Sequence, residues 1–339
     1  MKGKVLSIVF CAFIISGVIC VALYNSGLIH GFQTPMRAFK YQEKDNGIEI
    51  TDVNTEKYGK NITIPEKIQG KNVISVELND KGIVFIDVSK AKKLQNLDVS
   101  HNKLRKLDVS KNKSLESLYC NDNKLKKLNL SNNLKLWHFN CDYNNLKVLN
   151  ISNNVNLRSL SCAGNKLKTL DISKNSKLVV IDCVNNQLSE LKIGKAGEFC
   201  FSLYCDKNKL KELDVSQLKG LAQLSCGKNQ LKILDINKNK YLEYLECNDN
   251  QLTSLDTSKN TKLRYLHCSN NKLTTLDIRK NTELKNLYCS DNMLTSLDIS
   301  KNYLEKLYCT NNYISSTSAL ERWLDYPDNK GKVFPQKTE

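Results

Sequence analysis

Leu115-Glu116-Ser117-Leu118-Tyr119-Cys120-Asn121-Asp122-Asn123, continued by Lys124-Leu125-Lys126-Lys127-Leu128-Asn129-Leu130-Ser131-Asn132-Asn133, is one copy of a unit that fills most of the chain. Copies start at Leu94, Leu115, Leu136, Leu157 and Leu178, and resume at Cys200, Leu221, Leu242, Leu263, Leu284 and Leu304. The eighth residue after each start is Asn, from Asn102 to Asn312. A period of about 21 residues marks a stacked array, not a globular enzyme. Each coil buries its apolar residues against its neighbours, so stability is roughly a sum over coils and interfaces. Within a coil, Leu118 and Cys120 stand two apart, as do Leu128 and Leu130. That spacing turns both side chains of a pair to one face of a strand. The expectation is a mainly β solenoid with two short parallel strands per coil around a thin apolar filling. At ~4.8 Å per coil, eleven coils make a rod on the order of 50 Å long.

The nested Leu and Cys halves resemble the bacterial leucine-rich-repeat class called IRREKO. The resemblance covers about two thirds of the chain. It implies a right-handed leucine-rich-repeat solenoid and an interaction role, without naming a ligand. Ahead of the coils, Gly47-Ile48-Glu49-Ile50-Thr51, Ile62-Thr63-Ile64-Pro65-Glu66-Lys67-Ile68 and Gly70-Lys71-Asn72-Val73 alternate apolar and polar residues between glycines, which argues short strands. About forty residues here resemble the opening module of BspA-like bacterial surface proteins. Such a unit is expected to cover the first coil as an N-terminal β cap. After Asn312, Ser318-Ala319-Leu320-Glu321 reads as a capping box. Leu320, Trp323 and Leu324 share a helical face and Pro327 follows, so a short C-terminal capping helix is expected, with an irregular tail from Asp328.

The organisation read from these signals is 1–24 a signal-anchor or transmembrane segment (or a signal peptide), 25–36 a spacer, 37–80 the N-terminal cap, 81–314 the solenoid, and 315–339 the cap helix and tail. Lys2 and Lys4 precede an uncharged run, Val5 to Leu23, that nearly spans a hydrocarbon core of ~30 Å. A cleaved signal is the alternative; both readings place the repeats outside the cytoplasm, anchored at the cell surface in the first and secreted in the second. Between Leu191 and Cys200 one residue is inserted, and Gly194 and Gly197 appear, so a bulged loop is expected.

Lys and Arg number 51 against 35 Asp and Glu, a net charge of +16. That excess points to anionic partners such as wall polymers or lipid. No nucleic acid is expected. Cys120 and nine successors from Cys141 to Cys309 hold one position in ten coils, without the clustered spacing of a metal site. They read as small buried hydrophobes. The Asn column, and a second series from Asn112 to Asn302, read as backbone-bonding turn residues. Asp108, Asp171, Asp214, Asp235, Asp256, Asp277 and Asp298 form a third column whose mutual repulsion needs turn amides, lysines or a cation to offset it. No HExxH, P-loop or GxGxxG is present, and the four histidines are isolated, so no enzyme and no cofactor is expected. The outward strand positions carry Tyr119, then Trp137 and His138, and then Tyr204, Tyr244, Glu246, Tyr265, His267, Tyr288 and Tyr308. Aromatics on a rigid sheet suit contact with a protein or glycan ligand. The expected function is therefore adhesion or recognition through the outward face of the first-strand sheet. Retention by anionic polymer or lipid is the first alternative, and a polysaccharide-active β-solenoid enzyme the second.

Overall fold

The computed structural model describes residues 34–44, 46–194, 200–327 and 329–337. The N-terminal apolar run and residues 195–199 of the inserted loop lie outside them. No helix among the described residues is long and apolar enough to cross a membrane.

Each of the eleven coils contributes one three-residue strand, from Asn96–Asp98 to Lys306–Tyr308, and all pair in parallel with their neighbours. The register places Leu97, Leu118, Phe139 and Leu160 one above another, and all are fully buried. Burial of each such side chain contributes roughly 1.5–3 kcal/mol, so the coil-to-coil seam carries the stability. Strands Phe39–Lys44, Gly47–Val53 and Lys71–Glu77 extend the same sheet at its N-terminal end.

Among the described residues, the second half-coil forms a ladder where Asn61–Thr63 meets Phe85–Asp87 and where Thr169–Asp171 meets Glu190–Lys192. At the second of these, Asp171 stands opposite Lys192. The carboxylates of the Asp column turn back on their own chain. Asp108 accepts the N–H of Ser110 at 2.9 Å, and Asp214, Asp256 and Asp298 accept from Ser216, Ser258 and Ser300. These bonds hold their pKa values low.

Two amide ladders close the turns. In the first, Asn165 donates Nδ2–H to the carbonyls of Cys141 (3.0 Å), Cys162 (3.2 Å) and Ala163 (3.2 Å), and its Oδ1 accepts the N–H of Leu146 at 3.0 Å. The other coils repeat this set. The residue before the ladder Asn is in the left-handed region in every coil, as at Asp122 (φ 54°) and Asn185 (φ 56°), an arrangement Asn and Asp tolerate. The second series differs from expectation. Asn133 donates to Val109 and Asn112, but its Oδ1 is buried with no partner, as in Asn112, Asn154, Asn175, Asn239, Asn260 and Asn302. The neighbouring coil presents an apolar side chain there, so no donor meets the oxygen. Thr257 is the exception: its hydroxyl donates to Asn281 Oδ1 at 2.7 Å. Thr257→Val is expected to lower the urea unfolding free energy by about 1 kcal/mol. An unchanged midpoint would mean that the bond contributes nothing.

At the C-terminus the helix is Ser318–Leu324, with Leu320 and Trp323 buried and Trp323 Nε1–H donating to the Leu304 carbonyl. The expected capping box does not form, because the helix starts at Ser318 and no side chain caps it. Thr317 occupies the N-cap, and its hydroxyl donates to Glu321 Oε1 instead of Ser318 taking that role. The tail is not irregular throughout. Lys330–Lys332 adds a parallel strand beside Lys306–Tyr308. Its sequence lacks apolar alternation, and it joins through backbone alone. Gly331 makes that possible, because a Cβ there would collide with the Leu307 carbonyl.

Candidate functional site

The outward face of the first-strand sheet is built by the residues flanking each buried Leu. Register assigns them to two columns. Tyr244 and Tyr265 stand at the first strand position, above Asn286 and Lys306. Glu246, His267, Tyr288 and Tyr308 stand at the third. The tyrosines therefore cross the sheet diagonally. Tyr244 and Tyr265 stack at 4.3 Å and 11°, Tyr265 meets Tyr288 at 5.5 Å, and Tyr288 stacks on Tyr308 at 5.1 Å and 7°. His267 lies 5.4 Å from Tyr288. Tyr244, Tyr265 and Tyr288 are half-buried, and Tyr308 at the end of the stack is exposed.

Glu246 ties the strip together. Tyr244 donates its phenol to Glu246 Oε1 at 2.5 Å, Tyr265 approaches the same oxygen at 3.3 Å, and Ser225 Oγ lies 2.9 Å from Oε2. Burial and the Glu246 charge push the Tyr265 phenol up to about 12. Burial lowers the His267 pKa, so the imidazole is neutral at pH 7. Tyr204 is not part of the ring stack. Its hydroxyl bonds Gln223 one coil before Tyr244. A recess of about 330 Å³ opens beside the strip, lined by Asp206, Lys207, Lys228, Glu246, Asn248 and His267.

Three further features mark the surface. Trp137, Val179 and Phe201, each directly before a strand, are exposed (44%, 36% and 49%) and give the middle coils an apolar margin. Their shared place, one after the coil-opening residue, was a readable signal. Second, Tyr119, His138 and Trp137 form another ring cluster, with centroids 4.8 and 5.7 Å apart. Third, charge is segregated. Arg105, Lys126, Lys147, Lys168, Lys211 and Lys232 hold one exposed position in the second half-coils. The strand positions and the residue after each Cys carry Asp98, Asp142, Asp182, Asp206 and Glu246 against a single Lys306. Among the described residues, no group of His, Cys, Asp and Glu could hold a metal ion.

The ten column cysteines and Cys200 are free and buried. They form a continuous dry ladder behind the sheet. The chain is similar at 31% identity to the functional domain of InlJ from Listeria monocytogenes, which includes a cysteine ladder; the TM-score is 0.68 over 76% of this chain. The fold is a leucine-rich-repeat solenoid. A family described as Leucine Rich repeats (2 copies) matches residues 242–281. An internalin, InlF, from the same species matches at 20% identity and a TM-score of 0.64, over 85% of each chain. The plant peptide hormone receptor RGFR1, solved in complex with RGF2, matches at 22% and 0.55, over 76% of this chain and 51% of the receptor. The chain spans 62% of the InlJ structure. No curated protein matches the sequence. Leucine-rich-repeat proteins commonly serve protein binding, and this sheet face is the broad surface such a role requires.

Proposed function

We propose that this leucine-rich-repeat protein is a non-enzymatic recognition protein, exported to the cell surface, that binds a protein partner with its first-strand face. The observation that carries the reading is the ring ladder from Tyr244 to Tyr308, continuous over four coils on a hydrogen-bonded sheet. Aromatic side chains fixed in this way offer contact area with little ordering entropy left to lose. Placement at the surface follows from the apolar run Val5 to Leu23.

The test compares wild type with Tyr265→Ala/Tyr288→Ala in capture of cell-surface proteins, with a glycan array as a second arm. Central interface tyrosines contribute about 2 kcal/mol or more each, so the double variant is expected to weaken protein capture at least tenfold while the far-ultraviolet spectrum stays that of the intact rod. Undiminished capture by the folded variant refutes the reading. Capture confined to the glycan arm moves the ligand to a carbohydrate.

The basic column favours a second reading, retention by an anionic wall polymer or lipid through Arg105, Lys126, Lys147 and Lys168. These lie on the half-coils away from the ring ladder. Salt screens such contacts within about 8–10 Å. High salt is expected to abolish retention by the lysines and leave aromatic capture in place.

A further inference from the structure

The net charge of +16 argues for anionic partners, but the sheet face carries the opposite sign. Asp98, Asp182 and Glu246 share the third strand position, and Asp142 and Asp206 stand one residue past the buried Cys. Together they form a line two adjacent columns wide along the rod. Among the described residues none of the five is ion-paired to Lys or Arg, in a chain that has 51 of them. The cations have been placed elsewhere. Lys207 and Lys228 come nearest, at the exposed turn beyond the strands, and neither bridges Asp206 or Glu246.

The line is incompletely satisfied in the free protein. Ser225 Oγ lies 2.7 Å from Asp206 Oδ1 and 2.9 Å from Glu246 Oε2, and a hydroxyl has one proton for two carboxylates. Burial, opposed in part by the bonds from Ser161 and Ala163, leaves Asp142 raised, and nearby Asp182 adds to it. Burial likewise raises Asp206, with Glu246 contributing. Rows of like charge cost stability without a counter-charge. At the end of the line the Tyr244 and Tyr265 hydroxyls meet at Glu246 Oε1, so a carboxylate stands at the edge of an aromatic stack, a combination that suits a guanidinium or ammonium group.

We propose that the partner of this face is a basic polypeptide surface, whose Arg or Lys side chains line up along Asp98, Asp142, Asp182, Asp206 and Glu246 and end on the tyrosine stack. This rests on the protein-binding reading of the same face and adds the partner's charge. Electrostatic complementarity of this kind selects partners and speeds encounter more than it raises affinity. The rod is then two-signed: its acidic face takes the ligand while its lysine column faces away.

The test uses the full chain and two fluorescent probes, deca-arginine and deca-glutamate peptides, at low salt. Wild type is expected to bind deca-arginine despite its net positive charge. Asp182→Asn/Asp206→Asn/Glu246→Gln is expected to weaken that binding at least tenfold, and Lys126→Gln/Lys147→Gln/Lys168→Gln to leave it equal or tighter. Asp206 also accepts the Gly227 N–H, so urea midpoints accompany each measurement. If the triple variant unfolds early, Glu246→Gln alone, with an expected threefold loss, decides. Equal deca-arginine binding by wild type and the carboxamide variant overturns the proposal, as does no binding by wild type. A calcium-dependent thermal shift that the same variant removes, without peptide binding, overturns it as well. If Tyr265→Ala/Tyr288→Ala loses its protein ligand while the carboxamide variant keeps it, the face binds but not by charge. If both variants keep the ligand, the face reading fails too.

Discussion

Asn165→Ala is expected to lower the unfolding free energy by about 3–5 kcal/mol, among the largest single-residue effects in the rod. The amide fills a turn between coils where no water reaches, and Asn165 is only 7% exposed. Its removal strands the N–H of Leu146 and takes one donor each from the carbonyls of Cys141, Cys162 and Ala163, which keep Asn144, Asn186 and the Tyr143 N–H. The stranded N–H costs about 1–3 kcal/mol and each lost bond about 0.5–1.5 kcal/mol, and partial relaxation keeps the total below the simple sum. Alanine also removes the bonds that stabilise the left-handed residue before it, Gly164 at φ 64°. The effect is directional along the array. Neighbouring coils meet only each other, so weakening one interface in the middle loosens the coupling between the two ends. Urea unfolding should broaden as well as shift. Native-state hydrogen exchange should show the Leu146 amide losing protection first. Asn153, on the surface with one long bond to the Ser131 carbonyl at 3.4 Å, is the control: its alanine variant should stay within about 0.5 kcal/mol of wild type. A loss below about 1 kcal/mol at Asn165 would show that water or backbone movement replaces the amide, and that the ladder is incidental to the fold.

The first amide ladder was readable because its chemistry is confined to one residue type at one spacing. An Asn at a fixed offset from a buried Leu has few ways to satisfy both ends. The coil itself was readable for the same reason, with Leu118 and Cys120 two residues apart and repeated eleven times. The second ladder looked equivalent in sequence, yet Asn133 leaves its oxygen unpaired while Asn281 does not. That difference depends on whether the residue 24 positions earlier, in the neighbouring coil, is Val109 or Thr257, a contact that local spacing does not display. The tyrosines were visible as residues but not as a strip, because membership depends on register. Tyr265 and Tyr288 sit at different strand positions and still touch across the diagonal. Charge misled most. Net charge sums over the surface, and the opposition between Lys147 and Asp142, five residues apart in sequence on different half-coils, disappears in that sum. The terminal strand Lys330–Lys332 was hidden because it pairs through backbone and a glycine, with no side-chain pattern to announce it.

The thiol ladder is expected to be chemically silent in the folded rod and reactive once unfolded. Burial pushes the Cys268 thiol up to about 12 and raises Cys141, Cys162, Cys226 and Cys247 well above the usual thiol range. The thiolate is the nucleophile. A rise from 9 to about 12 cuts the thiolate fraction near neutral pH about a thousandfold, before any loss of access is counted. Iodoacetamide should therefore leave the column from Cys120 to Cys309 unmodified in native conditions and alkylate it throughout in concentrated guanidinium, read by intact mass. Packing gives the companion prediction. Cys247 is fully buried between Leu245 and the neighbouring coils. Cys247→Ala loses contacts but strands no polar atom, and should cost about 1 kcal/mol. Cys247→Ser places a hydroxyl among thiols and leucines and should cost about 1–3 kcal/mol. Serine in four successive coils, at Cys226, Cys247, Cys268 and Cys289, should sum across interfaces to a sizeable part of the 5–15 kcal/mol typical of a folded domain. The middle of the rod should then melt before its ends. Native thiols that alkylate as fast as free cysteine would mean that the column is wet, and a wet column could not support the flat, rigid sheet on which the tyrosines and carboxylates are displayed.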